Sequence, residues 1–121
     1  MSYYAGFVAA VPTAKREAYI AHAKEAWEAI FKPMGALSQV ETWGDQVPDG
    51  KVTSFPMAVQ CGPDETVVFA WIEWPDRATH DRANATMMAP DFDPGMAMAE
   101  MPFDGRRMIF GGFEPVVEMR R

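Results

Sequence analysis

The chain has 121 residues, 49% hydrophobic and 23% charged, a balance that lets a domain of this size bury roughly two-thirds of its unfolded surface and excludes a disordered chain. Its net charge is −6, and its basic residues gather only as the pairs Arg106-Arg107 and Arg120-Arg121, which excludes the phosphate-neutralising surface of a nucleic-acid binder. No segment approaches the roughly 18 apolar residues of a membrane span, the apolar N-terminal run lacks a basic flank and stops at Pro12, and Cys61 is the single cysteine, which excludes an internal disulfide and a cysteine metal cluster. One cytoplasmic domain of bacterial type is therefore expected over 1–121.

The run Tyr3 to Val11, aromatic and small apolar, predicts a first strand ended by Pro12. Thr13 offers an oxygen to cap the helix that follows. In that helix Ile20, Ala23, Trp27, Ile30, Phe31 and Met34 recur at three- and four-residue steps, opposite Glu17, Lys24, Glu25, Glu28 and Lys32. Pro33 and Gly35 stop it. Ala36 to Trp43 predicts a second strand, with Leu37, Gln39, Glu41 and Trp43 on one side. Pro48-Asp49-Gly50 marks a turn, from which Lys51 to Gln60 returns as a short extended segment broken by Pro56.

The strongest strand is Thr66 to Trp74, TVVFAWIEW, apolar on both faces: Val67, Phe69 and Trp71 on one, Val68, Ala70, Ile72 and Trp74 on the other. Asp76 then caps a helix that runs to about Ala89, before Pro90. Residues 90–105 hold three prolines, two glycines and three methionines, the composition of a long connection of the kind that often forms a lid. Arg106 to Met119 completes the pattern as a last strand, bent at Gly111-Gly112 and interrupted at Pro115.

The order β-α-β-β-α-β is that of an α+β, ferredoxin-like antiparallel sheet with two helices on one face. Two helices cover one face only. A central strand apolar on both sides then implies a second copy on the other, which predicts an isologous homodimer.

The segments YYAGFVAAVP, ETWGDQVPDGKVTSF, ETVVFAWIEWP and MPFDGRRMIFGGFEP resemble, in order and spacing, the YbaA-like family of uncharacterised small bacterial proteins, grouped with the dimeric α/β-barrel superfamily. The resemblance spans nearly the whole chain, and VPDGK and VVFAWIEWP are its most specific blocks. It implies the same fold and a dimer, and it implies no reaction, because the family has none established. The wider superfamily includes cofactor-independent monooxygenases, haem-degrading proteins, muconolactone isomerases and dye-decolourising peroxidases, an analogy of fold alone.

Two carboxylates are candidates for proton transfer. Glu41 shares a strand side with Leu37 and Trp43, and Glu73 shares one with Phe69 and Trp71; a carboxylate beside indoles in a dry cleft acquires a raised pKa and can act as general acid or base. Whether the two share a site depends on a register the sequence leaves open. Tyr4, Trp43, Asp45, Trp71 and Arg107 are the expected wall of a ligand pocket, while Asp49 and Lys51 need no more than turn chemistry and exposure. His22 and His80 lack metal-motif spacing, Asp91-x-Asp93 fails as a calcium loop, and Cys61 has no local helper, so neither a metal nor a cofactor is expected. The readings are a small cofactor-independent monooxygenase or isomerase acting on an apolar or aromatic molecule, a module that binds such a molecule without turnover, and a dimer whose pocket its own side chains fill. A hollow holding a partly buried carboxylate favours the first, an apolar hollow the second, and no hollow the third.

Overall fold

Strand β3, Glu65–Trp74, is one of the two inner strands of the sheet, as its run of apolar residues on both faces requires. In this computed structural model, which describes residues 1–92 and 101–121, it pairs antiparallel with β1 (Tyr3–Pro12) on one side and with β2 (Ser38–Trp43) on the other. Strand β4 (Ile109–Phe113) adds to the outer edge of β1, giving the order β2-β3-β1-β4 with every pair antiparallel. This is the ferredoxin-like arrangement, of class α+β.

Helix α1, Arg16–Ala26, follows a 3₁₀ turn at Thr13–Lys15 and continues into a π-helical turn at Trp27–Phe31, where the Lys32 amide donates to the Trp27 carbonyl at 2.9 Å. Thr13 does not cap it. Its hydroxyl is shared with that of Thr66 at 2.7 Å and its amide reaches the Asp64 carbonyl, so it ties β1 to the start of β3 instead. The buried stripe runs through Tyr19, Ala23, Ala26 and Ile30, one residue round from the expected line of Ile20 and Trp27. Gly35, at φ 102°, turns the chain into β2.

Residues 51–60 are not extended. Ser54 accepts the Met57 amide at 3.1 Å and starts a short helix α2, Phe55–Ala58, with Pro56 in its first turn, a position that costs a proline nothing because that amide would be unpaired anyway. The turn drops Val59 onto Val8, Ala10 and Val67, so the chain covers one end of the sheet face opposite the long helices.

Helix α3, Arg77–Met88, is capped as its sequence predicts, Asp76 Oδ1 accepting the Thr79 amide at 2.7 Å. It ends where Ala89, preceding Pro90, is pushed to extended backbone. Tyr19 of α1 with Ala9, Val11 and Val68, and Ala83 of α3 with Ile72 and Trp74, form the core under the helices. Strand β4 is shorter than expected at both ends. Phe113 pairs with Tyr4, beyond which β1 has almost no residues left to pair, and upstream Arg107 is held by other partners. The connection 90–105 expected to act as a lid, with Met96, Met98 and the Asp93 half of Asp91-x-Asp93, runs through 93–100, which lie outside the described residues.

Candidate functional site

Strand alternation assigns each side chain to one face of the sheet. Register puts Tyr4 opposite Glu73, Gly6 opposite both Trp71 and Gly111, and Val8 opposite Phe69, all on the face away from α1 and α3. Glu41 pairs with Ala70, so it stands on the helix-covered face with Gln39 and Trp43. The two candidate carboxylates are therefore on opposite faces.

The open face carries a groove of about 710 Å³ walled by Tyr4, Phe69, Trp71 and Phe113. Phe69 lies 5.5 Å from Trp71 and meets Phe55 edge-on at 5.8 Å, while Ile109 and Phe113 are 46% and 60% exposed at its rim. Its floor is the pair Gly6 and Gly111. A Cβ on either glycine would meet the Phe113 ring no closer than 3.6 Å, an ordinary contact, so nothing among the described residues forbids a Cβ there. Gly112 differs, because a Cβ there would run into the Tyr3 ring. Glu73, beyond Tyr4 at the end of the groove, accepts the Ser2 hydroxyl at 2.7 Å and the Ser38 hydroxyl at 3.4 Å.

On the other face Glu41 accepts the Tyr19 hydroxyl on one oxygen and the Gln39 amide, at 3.0 Å, on the other. Burial raises its carboxyl above the ordinary range against the opposing pull of those two donors. Burial, and then the Glu41 charge, likewise push the Tyr19 hydroxyl up, so that it stays a donor. Trp43 packs beside Tyr19 at 6.1 Å with the Arg16 guanidinium 5.7 Å from its ring. His22 stands edge-on to Phe103 at 6.3 Å, and burial lowers its pKa. His80 lies tilted against the Tyr3 ring at 4.7 Å and is bonded to Asp81 at 2.9 Å.

Asp45 and Arg107 belong to neither face. Asp45 borders a polar hollow of about 350 Å³ at the end of β2, with Asp49, Cys61 and Glu65. Arg107 grips Glu65 with two nitrogens, at 2.7 and 2.8 Å, and also holds Asp104 and the Gln60 carbonyl. Together with the Gly62 amide this pair holds the Glu65 carboxyl at about 2, far below the usual carboxylate range. Cys61 is pushed up by burial, so its thiol stays protonated. Of the expected pocket wall, then, Tyr4 and Trp71 come together, Trp43 lies behind the sheet, and Asp45 and Arg107 lie at its end. Among the described residues no group of three or more His, Cys, Asp or Glu side chains is placed to hold a metal ion, and no helix is long and apolar enough to cross a membrane.

Sequence reasoning missed Gly6 and Gly111, Tyr19, and Glu65. Spacing alone could have found Tyr19, since 19, 23, 26 and 30 form as regular a helical stripe as the one read.

Residues 2–105 match the family described as protein of unknown function (DUF1428). The chain belongs to this family. It is 50% identical over 120 residues to the uncharacterized protein YbaA of Escherichia coli (strain K12), an alignment covering 98% of this chain and 99% of that one, and it matches YbaA of Shigella flexneri to the same extent. Among solved structures it is similar to a dimeric ferredoxin-like protein from an uncultured marine organism, with a TM-score of 0.58 at 14% identity, covering 99% of this chain and 98% of the other. That likeness speaks for the fold alone. Neither the family nor these relatives carry an assigned activity.

Proposed function

We propose that the protein is a homodimer in which the open sheet faces of two copies meet and enclose a chamber for one small apolar or aromatic molecule. The observation that carries this reading is the glycine floor inside an aromatic rim. An apolar face as exposed as Phe69, Ile109 and Phe113 calls for a cover, and a second copy of the same face supplies it symmetrically. A flat face would suffice for that. The recess over Gly6 and Gly111 adds room that the fold itself does not require. The dimeric state of the marine protein of the same fold supports the assembly, and the net charge of −6 speaks against a nucleic-acid partner.

Native mass spectrometry of the freshly purified protein tests this. A dimer carrying a defined extra mass supports the chamber, a bare dimer favours an interface filled by its own side chains, and a monomer removes the reading. Gly6→Val refines the result, because filling the floor should release the extra mass while the chain stays folded.

A second reading, a cofactor-independent enzyme of the monooxygenase or isomerase type, is favoured by one observation: Glu41 is a half-buried carboxylate with a raised pKa. Glu73, at the end of the open groove, is the other proton-transfer candidate. Glu41→Gln and Glu73→Gln should each be assayed on the compound that copurifies, and unchanged turnover in both would remove these residues from any mechanism.

A further inference from the structure

Behind the sheet, away from the open face, a separate hollow of about 390 Å³ lies between α1 and the edge strand β2. Ala23, Lys24, Trp27 and Glu28 form its helical wall, and Gln39 and Glu41 form the wall from the strand. The spacing explains the set: residues 23, 24, 27 and 28 lie along one side of the helix, and 39 and 41 point to the same side of a strand.

What Glu41 and Gln39 lack is a paired cation, although Lys24 stands in the same wall. Among the described residues Glu41 forms no ion pair; its partners are the neutral Tyr19 hydroxyl and the neutral Gln39 amide. Gln39 spends its Nε2 on Glu41 and on the Ala23 carbonyl, at 3.3 Å, which leaves its Oε1 buried with no donor among the described residues. A half-buried carboxylate without a cation and a buried amide oxygen without a donor both carry a desolvation cost. The indole of Trp27 in the same wall attracts positive charge. Glu28 adds acceptor character at the rim, although Lys32 already stands 3.6 Å from it.

We propose that this hollow binds a small protonated amine, its ammonium bridging Glu41 and the Gln39 Oε1 and its compact apolar body lying on Trp27 and Ala23. An ammonium supplies both missing interactions at once: charge for the carboxylate and an N–H for the amide oxygen. A neutral alcohol or a carboxylic acid supplies at most one. The site lies on the face opposite the groove, so it stands or falls apart from the dimer and its chamber. Lys24 is the competing occupant, since its own ammonium is tethered at the rim.

Calorimetric titration with 2-phenylethylamine and with its neutral counterpart 2-phenylethanol tests the proposal. The amine should bind at least about tenfold more tightly than the alcohol, the ratio expected when one charge-assisted hydrogen bond is lost. Glu41→Gln, close to isosteric, should remove that preference, and Lys24→Ala should keep or strengthen it. Carbon-detected NMR of the unsubstituted protein needs no variant: the Glu41 carboxyl should titrate at lower pH when the amine is bound. Equal affinity for amine and alcohol, absence of amine binding at millimolar concentration, or a Glu41 titration unmoved by saturating amine would each overturn the assignment.

Discussion

Alternate residues of one strand face two different fates in this molecule. Val68, Ala70, Ile72 and Trp74 are buried under α1 and α3, while Phe69 and Trp71, equally apolar and interleaved with them, line an open groove that among the described residues only α2 and Val59 shelter at one end. The first set stabilises this chain. The second is only partly covered by this chain and contributes less to its fold. Hydrophobic patterning thus reports that a face will be covered without saying by what, and the cover can be the same chain, another copy, or a ligand.

Paired substitutions on β3 give the sharpest test of that contrast. Trp74→Ala, at a side chain 1% exposed, should cost about 3 to 5 kcal/mol in urea denaturation. Trp71→Ala, at a partly buried side chain, should cost the isolated chain clearly less than Trp74→Ala, yet weaken self-association by about 2 kcal/mol or more in a dilution series followed by light scattering, as an interfacial tryptophan does. Equal destabilisation by the two would mean that the open face is already covered from within. Gly6→Val sharpens the picture further, since it should leave the melting temperature nearly unchanged while reducing ligand retention or dimer affinity about tenfold.

Titration separates the helix-covered face from the sheet end. Glu41 has a raised carboxyl pKa, so the native state binds more protons than the unfolded chain, and its contribution to stability falls as pH rises through and above the ordinary glutamate range. Glu41→Gln should therefore gain on the parent between pH 4 and pH 7 in denaturation midpoints. Glu65 behaves in the opposite sense. Its pKa is depressed to about 2, so its stabilisation is present above the ordinary value of 4.5 and is lost as pH falls from there toward about 2. Glu65→Gln should lower the melting temperature at pH 7 by on the order of 5 °C, and the difference from the parent should vanish near pH 2.

Local signals were legible in the sequence and long-range ones were not. The two-faced pattern of β3 and the Asp76 cap of α3 depend on neighbours a few residues away, and both stand as read. In one dimension a proline that breaks a strand and a proline in a first helical turn look the same; at Pro56 the Ser54 hydroxyl decides between the two. Trp43 and Trp71 seemed companions by composition, but the Val40–Trp71 register puts Trp43 on the other face, and register is set by pairing between distant segments. The Glu65–Arg107 pair spans 42 residues of chain, which no spacing rule reaches. The candidate site was half legible for the same reason: Glu41 stands out by its neighbours in sequence, whereas Tyr19, its partner, comes from another element.

The π-helical turn at Trp27–Phe31 works as an inserted residue held in the helix. A helix advances about 100° per residue, so one extra member displaces everything before it by more than a quarter of a circle relative to everything after it. The turn itself serves both sides: Trp27 and Glu28, at its start, line the hollow with Ala23 and Lys24, while Ile30, buried, and Phe31, packed toward Ile72 and Trp74, close it on the core. Deleting Ala29 would restore regular winding, and the chain could then satisfy the core or the hollow but not both. The length of that single turn is thus a coupling between the two, and lineages that vary it should vary the hollow's walls with it.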